Sequence, residues 1–283
     1  MLSVVIVSHN SIKYMIMCLE SLFRQSYGDF ETIVIDNGSS DNTANFIKSN
    51  YPNVKLIENQ QNLGACKARN QGIENSSFDW ILTLDCDVVL ENDFIGKLME
   101  ESSVIDKEIG SIQPKVLDFD KKTIYSCGIY LSKLRRYYDI GRGKPNGAKY
   151  NYKKNIFGCC AAAALYRKEM LIDIKDDAGY FDEKFFFLVE DVDLSWRAQN
   201  KGWKAVFSPE PVCYHKGDSS NCSKEIRQIL SFRNRYRMIN KNETLFGKLK
   251  IITLGFFYES MRAVFMALTN KYFWKYLRGS RLE

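Results

Sequence analysis

The sequence holds no Cys-x-x-Cys pair, no internal repeat, no low-complexity tract and only two histidines. Its eight cysteines sit mostly inside apolar segments, as reduced core thiols do, which argues against an oxidising compartment. The opening Leu2-Ser3-Val4-Val5-Ile6-Val7 lacks the basic segment and small-residue cleavage site of a signal peptide. It has the pattern of a buried strand, so a cytosolic location is expected. That run leads into Ser8-His9-Asn10-Ser11 without the glycine fingerprint of a dinucleotide-dependent oxidoreductase. Hydrophobic residues make up 45% and charged residues 26% of the 283, which excludes a disordered chain and a polytopic membrane protein.

Surplus positive charge is missing from most of the chain. Residues 1–223 carry 27 Lys and Arg against 30 Asp and Glu, net −3, whereas residues 224–283 carry 13 against 4, net +9. The length suits one catalytic domain, 1–223, followed by a basic, aromatic-rich helical extension, 224–283. The extension is expected to meet an anionic partner, phospholipid or nucleic acid.

In the first half, β-branched runs at 2–7, 30–35, 54–57 and 80–84 alternate with helical patterns at 12–23, 41–49 and 65–73. This rhythm predicts an α/β fold with a mostly parallel sheet covered on both faces. Farther on, a helix near 93–103 and strands near 109–116 and 124–131 are expected, then a polar, mobile loop over 135–155. Order returns with the small, apolar stretch 156–165, which contains Gly158, Cys159-Cys160 and four alanines.

Ligands of such sheets bind beyond the carboxyl ends of the strands, so the residues there carry the chemistry. The second strand ends in Asp36, followed by Asn37-Gly38-Ser39-Ser40-Asp41: the small residues let a ligand approach, and a carboxylate there can accept from a base imide. The bland alternative is that Asp41 only caps a helix. The fourth strand ends in Asp85-Cys86-Asp87, two carboxylates that repel unless a cation neutralises them, which suits Mg²⁺ or Mn²⁺ holding a diphosphate. Arg69 lies about a turn and a half into the helix after Gly64, within reach of base or phosphates, or else at the surface. Glu190, Asp191 and Asp193 follow an aromatic run: Asp191 or Glu190 caps a helix, or a carboxylate walled by aromatics serves as general base. His215, past a strand, is a further metal or diphosphate ligand, weighed against a structural histidine.

Taken in order, the end of strand 1 with Asn10, the Asp36 turn, Asp85-Cys86-Asp87, and Phe181-Asp182-Glu183 through Glu190-Asp191-Val192-Asp193-Leu194 resemble the family 2 glycosyltransferases, most closely the rhamnosyltransferase-like branch. The resemblance covers roughly residues 2–220 and implies a GT-A fold. It implies that Asp36 contacts the nucleotide base with help from Arg69, that Asp85 lies near ribose and metal, and that Asp87 ligates the metal. It further implies Asp191 as catalytic base with Glu190 beside it and Asp193 as fallback, Gly158 and its small neighbours around the donor sugar and acceptor, and His215 at the metal. The implied reaction is inverting transfer from a nucleotide sugar, dTDP-rhamnose or a UDP-hexose, to a saccharide or lipid-linked acceptor. A catalytically silent nucleotide-binding scaffold on the membrane is the non-enzyme alternative.

In the extension, Ile226, Ile229, Phe232, Tyr236 and Ile239 recur at helical spacing, with arginines largely elsewhere on the wheel. Residues 245–268 are apolar but interrupted by Lys248, Lys250, Glu259 and Arg262, which predicts an interfacial helix and no spanning one. Tyr272, Phe273, Trp274 and Tyr276 among Lys271, Lys275 and Arg278 suit a headgroup layer at the inner face of the cell membrane. Packing on the catalytic domain or on a second subunit is the alternative for these helices. Nucleic acid is not expected, because the acidic edge of the catalytic half would repel a phosphate backbone.

Overall fold

The computed structural model describes residues 1–217, 220 and 222–277, so Arg278 lies outside the described residues, as does the side chain of Tyr276. The chain runs β1 (Leu2–Ser8), α1 (Ile12–Phe23), β2 (Phe30–Asp36), α2 (Thr43–Asn50), β3 (Lys55–Glu58), α3 (Ala65–Glu74), β4 (Trp80–Asp85), β5 (Val88–Leu90) and α4 (Phe94–Val104). It continues through β6 (Ile109–Asp118), β7 (Ile124–Ser126), β8 (Ile129–Leu131), β9 (Tyr137–Asp139), β10 (Lys154–Ile156), β11 (Ala163–Arg167), α5 (Lys168–Ile174), α6 (Glu190–Asn200) and β12 (Lys204–His215). Three helices close it: α7 (Lys224–Asn242), α8 (Leu245–Thr269) and α9 (Phe273–Leu277).

The main sheet has the order β10-β12-β6-β11-β4-β1-β2-β3, with β5 on β12 and β7 on β6. β1 pairs in parallel with both β2 and β4, and β2 with β3, while β11 enters antiparallel between β4 and β6. Near-continuous burial along β1, β2 and β4 explains their unbroken Val/Ile/Leu composition, since helices cover both faces. α1 shows the other periodicity: Met15, Cys18, Leu19 and Leu22 face the sheet at helical spacing and are fully buried. Each such aliphatic side chain contributes roughly 1.5–3 kcal/mol when removed from water.

Register places the chemistry. Ser8 lies opposite Asp36 and Val7 opposite Asp85, so three strand ends share one sheet edge. His215 lies opposite Val88, which carries the imidazole back to the residue after Asp87. Seven cysteines are buried and Cys222 is half-buried, all of them as thiols outside any disulfide.

Three expectations change. The stretch 135–155 is not a mobile loop: β9 pairs with β8, Tyr150 is buried, and β10 pairs with β12. Its polar composition reflects a small hairpin with wet outer faces. The strand expected at 124–131 is broken between β7 and β8 at Gly128, whose φ of +105° bends the chain between two sheets. Finally, the charges of 245–268 do not rule out a membrane-spanning helix. α8 is one continuous 25-residue helix, long and apolar enough to cross a membrane by length and composition. Glu259 accepts from Arg235 on α7 at 2.9 Å and from the Tyr236 hydroxyl, and Arg262 lies over the Phe232 ring. Those charges therefore face a protein neighbour while Leu254, Phe257, Met261 and Leu268 are exposed.

Candidate active site

A cavity of about 310 Å³ opens at the carboxyl edge of the sheet, and its walls include Arg69, Asp85, Asp87, Glu190, Asp191 and His215. Six residues expected at the site, spread over 147 positions of chain from 69 to 215, thus meet in one place.

The first group is the acid cluster after β4. One ligand atom from each of Asp85, Asp87 and His215 lies within 4.8 Å of the others. His215 Nε2 sits 3.0 Å from Asp87 Oδ1 and 3.8 Å from Asp85 Oδ2, and Tyr125 packs edge-on against the imidazole at 4.2 Å. The buried His215 Nδ1 has no hydrogen-bond partner among the described residues. Two carboxylates and an imidazole form a donor set suited to Mg²⁺ or, with its nitrogen, to Mn²⁺. The residues present therefore fit such an ion.

The second group is a buried ionic fork. Arg69 donates from Nη2 to Asp85 Oδ1 and from Nη1 to Glu190 Oε1, both at 2.7 Å, and its guanidinium lies 5.6 Å over the Phe181 ring. It is 4% exposed, so the surface alternative for this arginine does not hold. Its planar fork joins the acidic cluster to the start of α6, a geometry lysine could not supply. The other oxygen of Glu190, Oε2, is buried and has no hydrogen-bond partner among the described residues.

The third group is Asp191 itself. Its Oδ1 accepts from Val192 N at 2.8 Å and its Oδ2 from Ala161 N at 3.3 Å. Burial, then the carboxylates of Glu190 and Asp139, push its pKa up to about 8. Asp193, the fallback base, is fully buried on the other side of α6. There Arg197 Nε, Asn242 Nδ2 and Lys241 Nζ donate to it at 2.9, 2.7 and 3.4 Å, and no oxygen is left facing the cavity.

The turn leading into α6 is strained. Phe186, Leu188 and Val189 have φ of +65°, +69° and +73°, and each such residue costs on the order of 1–3 kcal/mol. Gly64, at the start of α3, makes room for it: a Cβ there would lie 2.5 Å from the Phe186 ring.

The remaining expected residues stand beside the cavity, outside its lining. Asp36 is buried and accepts from the hydroxyl of Ser39 and, at 3.3 Å, from its backbone N–H. Asn10 braces the same turn, accepting from Ser40 N at 2.7 Å while its own N–H donates to Ser39 Oγ at 2.9 Å. Asp41 accepts from Ile12 N at 2.9 Å and from Thr43, tying the starts of α1 and α2 together, although the N-cap position of α2 is Asn42 and not Asp41. Partial burial opposes ionisation of Asp41, but those hydrogen bonds hold its pKa below the usual carboxylate range. Gly158 does not line the cavity. A Cβ there would lie 2.0 Å from Ser195 Oγ, so the glycine lets β10 and α6 approach, while Cys160, Ala161 and Ala162 form the wall.

Sequence reasoning missed Asp139, at the end of β9, and Arg227 and Ser231 on α7, all of which line the cavity. Burial raises the Asp139 pKa, with Ser126 and Arg142 opposing. Nothing in a three-residue strand inside a polar stretch marks such a position.

Comparison with known proteins places the chain. Residues 3–175 match the sequence profile of Glycosyl transferase family 2. The poly-beta-1,6-N-acetyl-D-glucosamine synthase of Staphylococcus aureus is 26% identical over 198 residues, covering 69% of this chain and 45% of that protein. The chain thus spans about half the length of that relative. The amylovoran biosynthesis glycosyltransferase AmsB of Erwinia amylovora is 28% identical over 221 residues, covering 75% of this chain and 69% of that protein. Among solved structures, GalNAc-T7 with UDP, GalNAc and Mn²⁺ superposes with a TM-score of 0.63 at 16% identity, covering 84% of this chain and 48% of that one. The mannosyltransferase PcManGT of Pyrobaculum calidifontis, in complex with GDP-Man and Mn²⁺, gives 0.59 at 13% identity, covering 93% and 73%. These neighbours share the GT-A fold, a mixed sheet flanked by helices, followed here by a helical C-terminus. Because the profile covers more than half of its length, the chain belongs to glycosyl transferase family 2.

Proposed function

We propose that this protein transfers a sugar, with inversion, from a nucleoside-diphosphate donor to a saccharide or lipid-linked acceptor in the synthesis of a cell-surface polysaccharide. The observation that carries this reading is the meeting of Asp191, its pKa pushed up to about 8, with the Asp85, Asp87 and His215 cluster in one cavity. The names of the bacterial relatives support the polysaccharide context, and the nucleotide sugars in the titles of the structural neighbours support the donor class. A dTDP-rhamnose or UDP-hexose donor is the form tested first.

Asp85, Asp87 and His215 would hold a Mg²⁺ or Mn²⁺ ion, whose charge would stabilise the departing diphosphate. Asp191 takes the proton of the acceptor hydroxyl onto a carboxylate oxygen, as the hydroxyl oxygen forms the new bond to the anomeric carbon and the bond from that carbon to the diphosphate breaks. Arg69 fixes Asp85 against Glu190, and the free Glu190 Oε2 accepts a sugar hydroxyl. Asn10 and Asp36 shape the nucleotide end of the site. Ala161 and Ala162 leave room for the sugar, and Gly158 sets the depth of their wall.

In this reading residues 1–223 carry the chemistry and residues 224–283 hold the enzyme on the inner, anionic face of a membrane, with α7 serving both. The exposed apolar surface of α8 and the net charge of +9 support that placement.

The test is Asp191→Asn with Mn²⁺ and a panel of nucleotide sugars. Transfer should fall about 10²- to 10⁴-fold while nucleoside diphosphate binding stays within a factor of about three. A normal rate in the variant removes Asp191 as base. Metal-dependent nucleotide binding by the unaltered chain without turnover, across a broad acceptor panel, favours a silent scaffold instead.

A further inference from the structure

The turn before α6 presents a physical problem. Phe186, Leu188 and Val189 all hold positive φ, and Val189 is β-branched, the residue type least suited to that region. The turn is followed immediately by Glu190 and Asp191, and Phe187, Leu188 and Val189 line the same cavity. Left to its local preferences this segment would relax, and the first turn of α6 would move with it.

What restrains it comes from α7. Asn234 is fully buried, and its Nδ2 lies 3.0, 2.9 and 2.8 Å from the carbonyl oxygens of Phe185, Phe187 and Leu188. A side-chain amide has two hydrogens, so three carbonyls share them and converge on one nitrogen. Its own Oδ1 accepts from Arg233 Nε at 3.0 Å, which fixes which end of the amide faces the turn. From the opposite side, Cys66 N on α3 donates to Phe186 O at 3.3 Å. The strained turn is therefore gripped between α3 and α7, with Asn234 the side chain that reaches most of its carbonyls.

We propose that Asn234 is a positioning residue for Asp191: its amide clamps the left-handed turn 186–189 and so aims the start of α6 into the cavity. The extension then completes the active site as well as following it. This inference rests on Asp191 being the base, and the experiment keeps the two apart.

Steady-state kinetics on the full chain compare Asn234→Ala, Val189→Gly, the double variant and Asp191→Asn. Asn234→Ala should lose on the order of 10²-fold in kcat, the effect of misplacing a catalytic group by about an ångström. Donor KM and Mn²⁺-dependent nucleoside diphosphate affinity should stay within about threefold, because the metal cluster lies on other elements. Glycine adopts positive φ without strain, so removing Asn234 in the Val189→Gly background should cost only about threefold relative to Val189→Gly alone. An Asn234 that merely docks α7 predicts equal losses in both backgrounds. That result, a kcat within threefold of the unaltered enzyme, or a matching loss of nucleotide affinity overturns the proposal. If Asn234→Ala does not melt cooperatively, the double variant decides: recovery of folding with the activity of Val189→Gly supports the clamp, and failure of either overturns it. An inactive Asp191→Asn beside a normal Asn234→Ala refutes the clamp alone, whereas an active Asp191→Asn refutes the base.

Discussion

Asp191 and Asp193 stand two residues apart in the first turn of α6, and the two faces of that helix treat them in opposite ways. On the α7 side, Asp193 is closed in by Arg197, Asn242 and Lys241, and nearby Arg235 is likewise closed by Glu259 and the carbonyls of Leu134 and Arg135. On the cavity side, Asp191 is buried against two further carboxylates, and Glu190 Oε2 and His215 Nδ1 have no partner among the described residues. Buried polar groups ordinarily find partners, and charges left short of them raise the free energy of the fold. The difference separates the two faces: compensated charges dock the extension, whereas the cavity side keeps polar atoms that, in the proposed function, a cation and a substrate would pair.

The sharpest way to break this comparison is Asp87→Ala, which removes a carboxylate whose like-charged neighbour a cation would neutralise. Transfer should fall more than about 10²-fold and nucleotide binding should lose its response to Mn²⁺, both read from a titration with and without the ion. Retention of Mn²⁺-dependent binding would contradict it. Next in size is Asp193→Asn, which removes the carboxylate partner of the buried Arg197, while Lys241 keeps Asp176 and Asp182. Stability should drop by about 3–5 kcal/mol, a fall in Tm of about 2–4 °C for each, while kcat at low temperature stays near normal.

Asp191→Asn should move stability the other way. The folded pKa of about 8 lies above the 3.8 of an ordinary aspartate, so the folded protein holds this proton more tightly between those pH values. That contribution is fully present below the unfolded pKa and is lost as pH rises through about 8. The Asn variant should therefore match the parent near pH 4 and melt higher than it near pH 8, by about 2–4 °C per kcal/mol recovered. The unaltered enzyme should show kcat/KM rising with pH along a limb well above the usual carboxylate range. Smallest is the response of the extension to salt. Binding to anionic vesicles should weaken as ionic strength rises from about 0.01 M to 0.15 M, and a Phe257→Glu variant should bind less at either. Equal binding by both proteins would separate α8 from the membrane.

Much of this comparison was legible in the residues. The runs at 2–7, 30–35 and 80–84 match β1, β2 and β4 because strands buried on both faces keep unbroken apolar composition. Asp85, Asp87 and His215 stood out as carboxylates and a histidine at strand ends. What stayed hidden depends on partners distant in sequence. Arg69 is legible as a residue near the ligand edge, but its pairing with Asp85 and Glu190 is not. Asn234 draws no reading from the sequence, because nothing local reveals the three carbonyls around its amide. Glu259 and Arg262 read as interruptions of an apolar helix, since their α7 partners lie more than twenty residues upstream.

The most direct measurement is anomalous diffraction from crystals grown with Mn²⁺ and a nucleoside diphosphate. A single strong peak is expected within coordination distance of Asp87 and His215 Nε2, with the diphosphate on the ion and Asp191 across the cavity from it. Nucleotide bound with manganese elsewhere, or with none at that cluster, would contradict the assignment of this cleft as the site of sugar transfer.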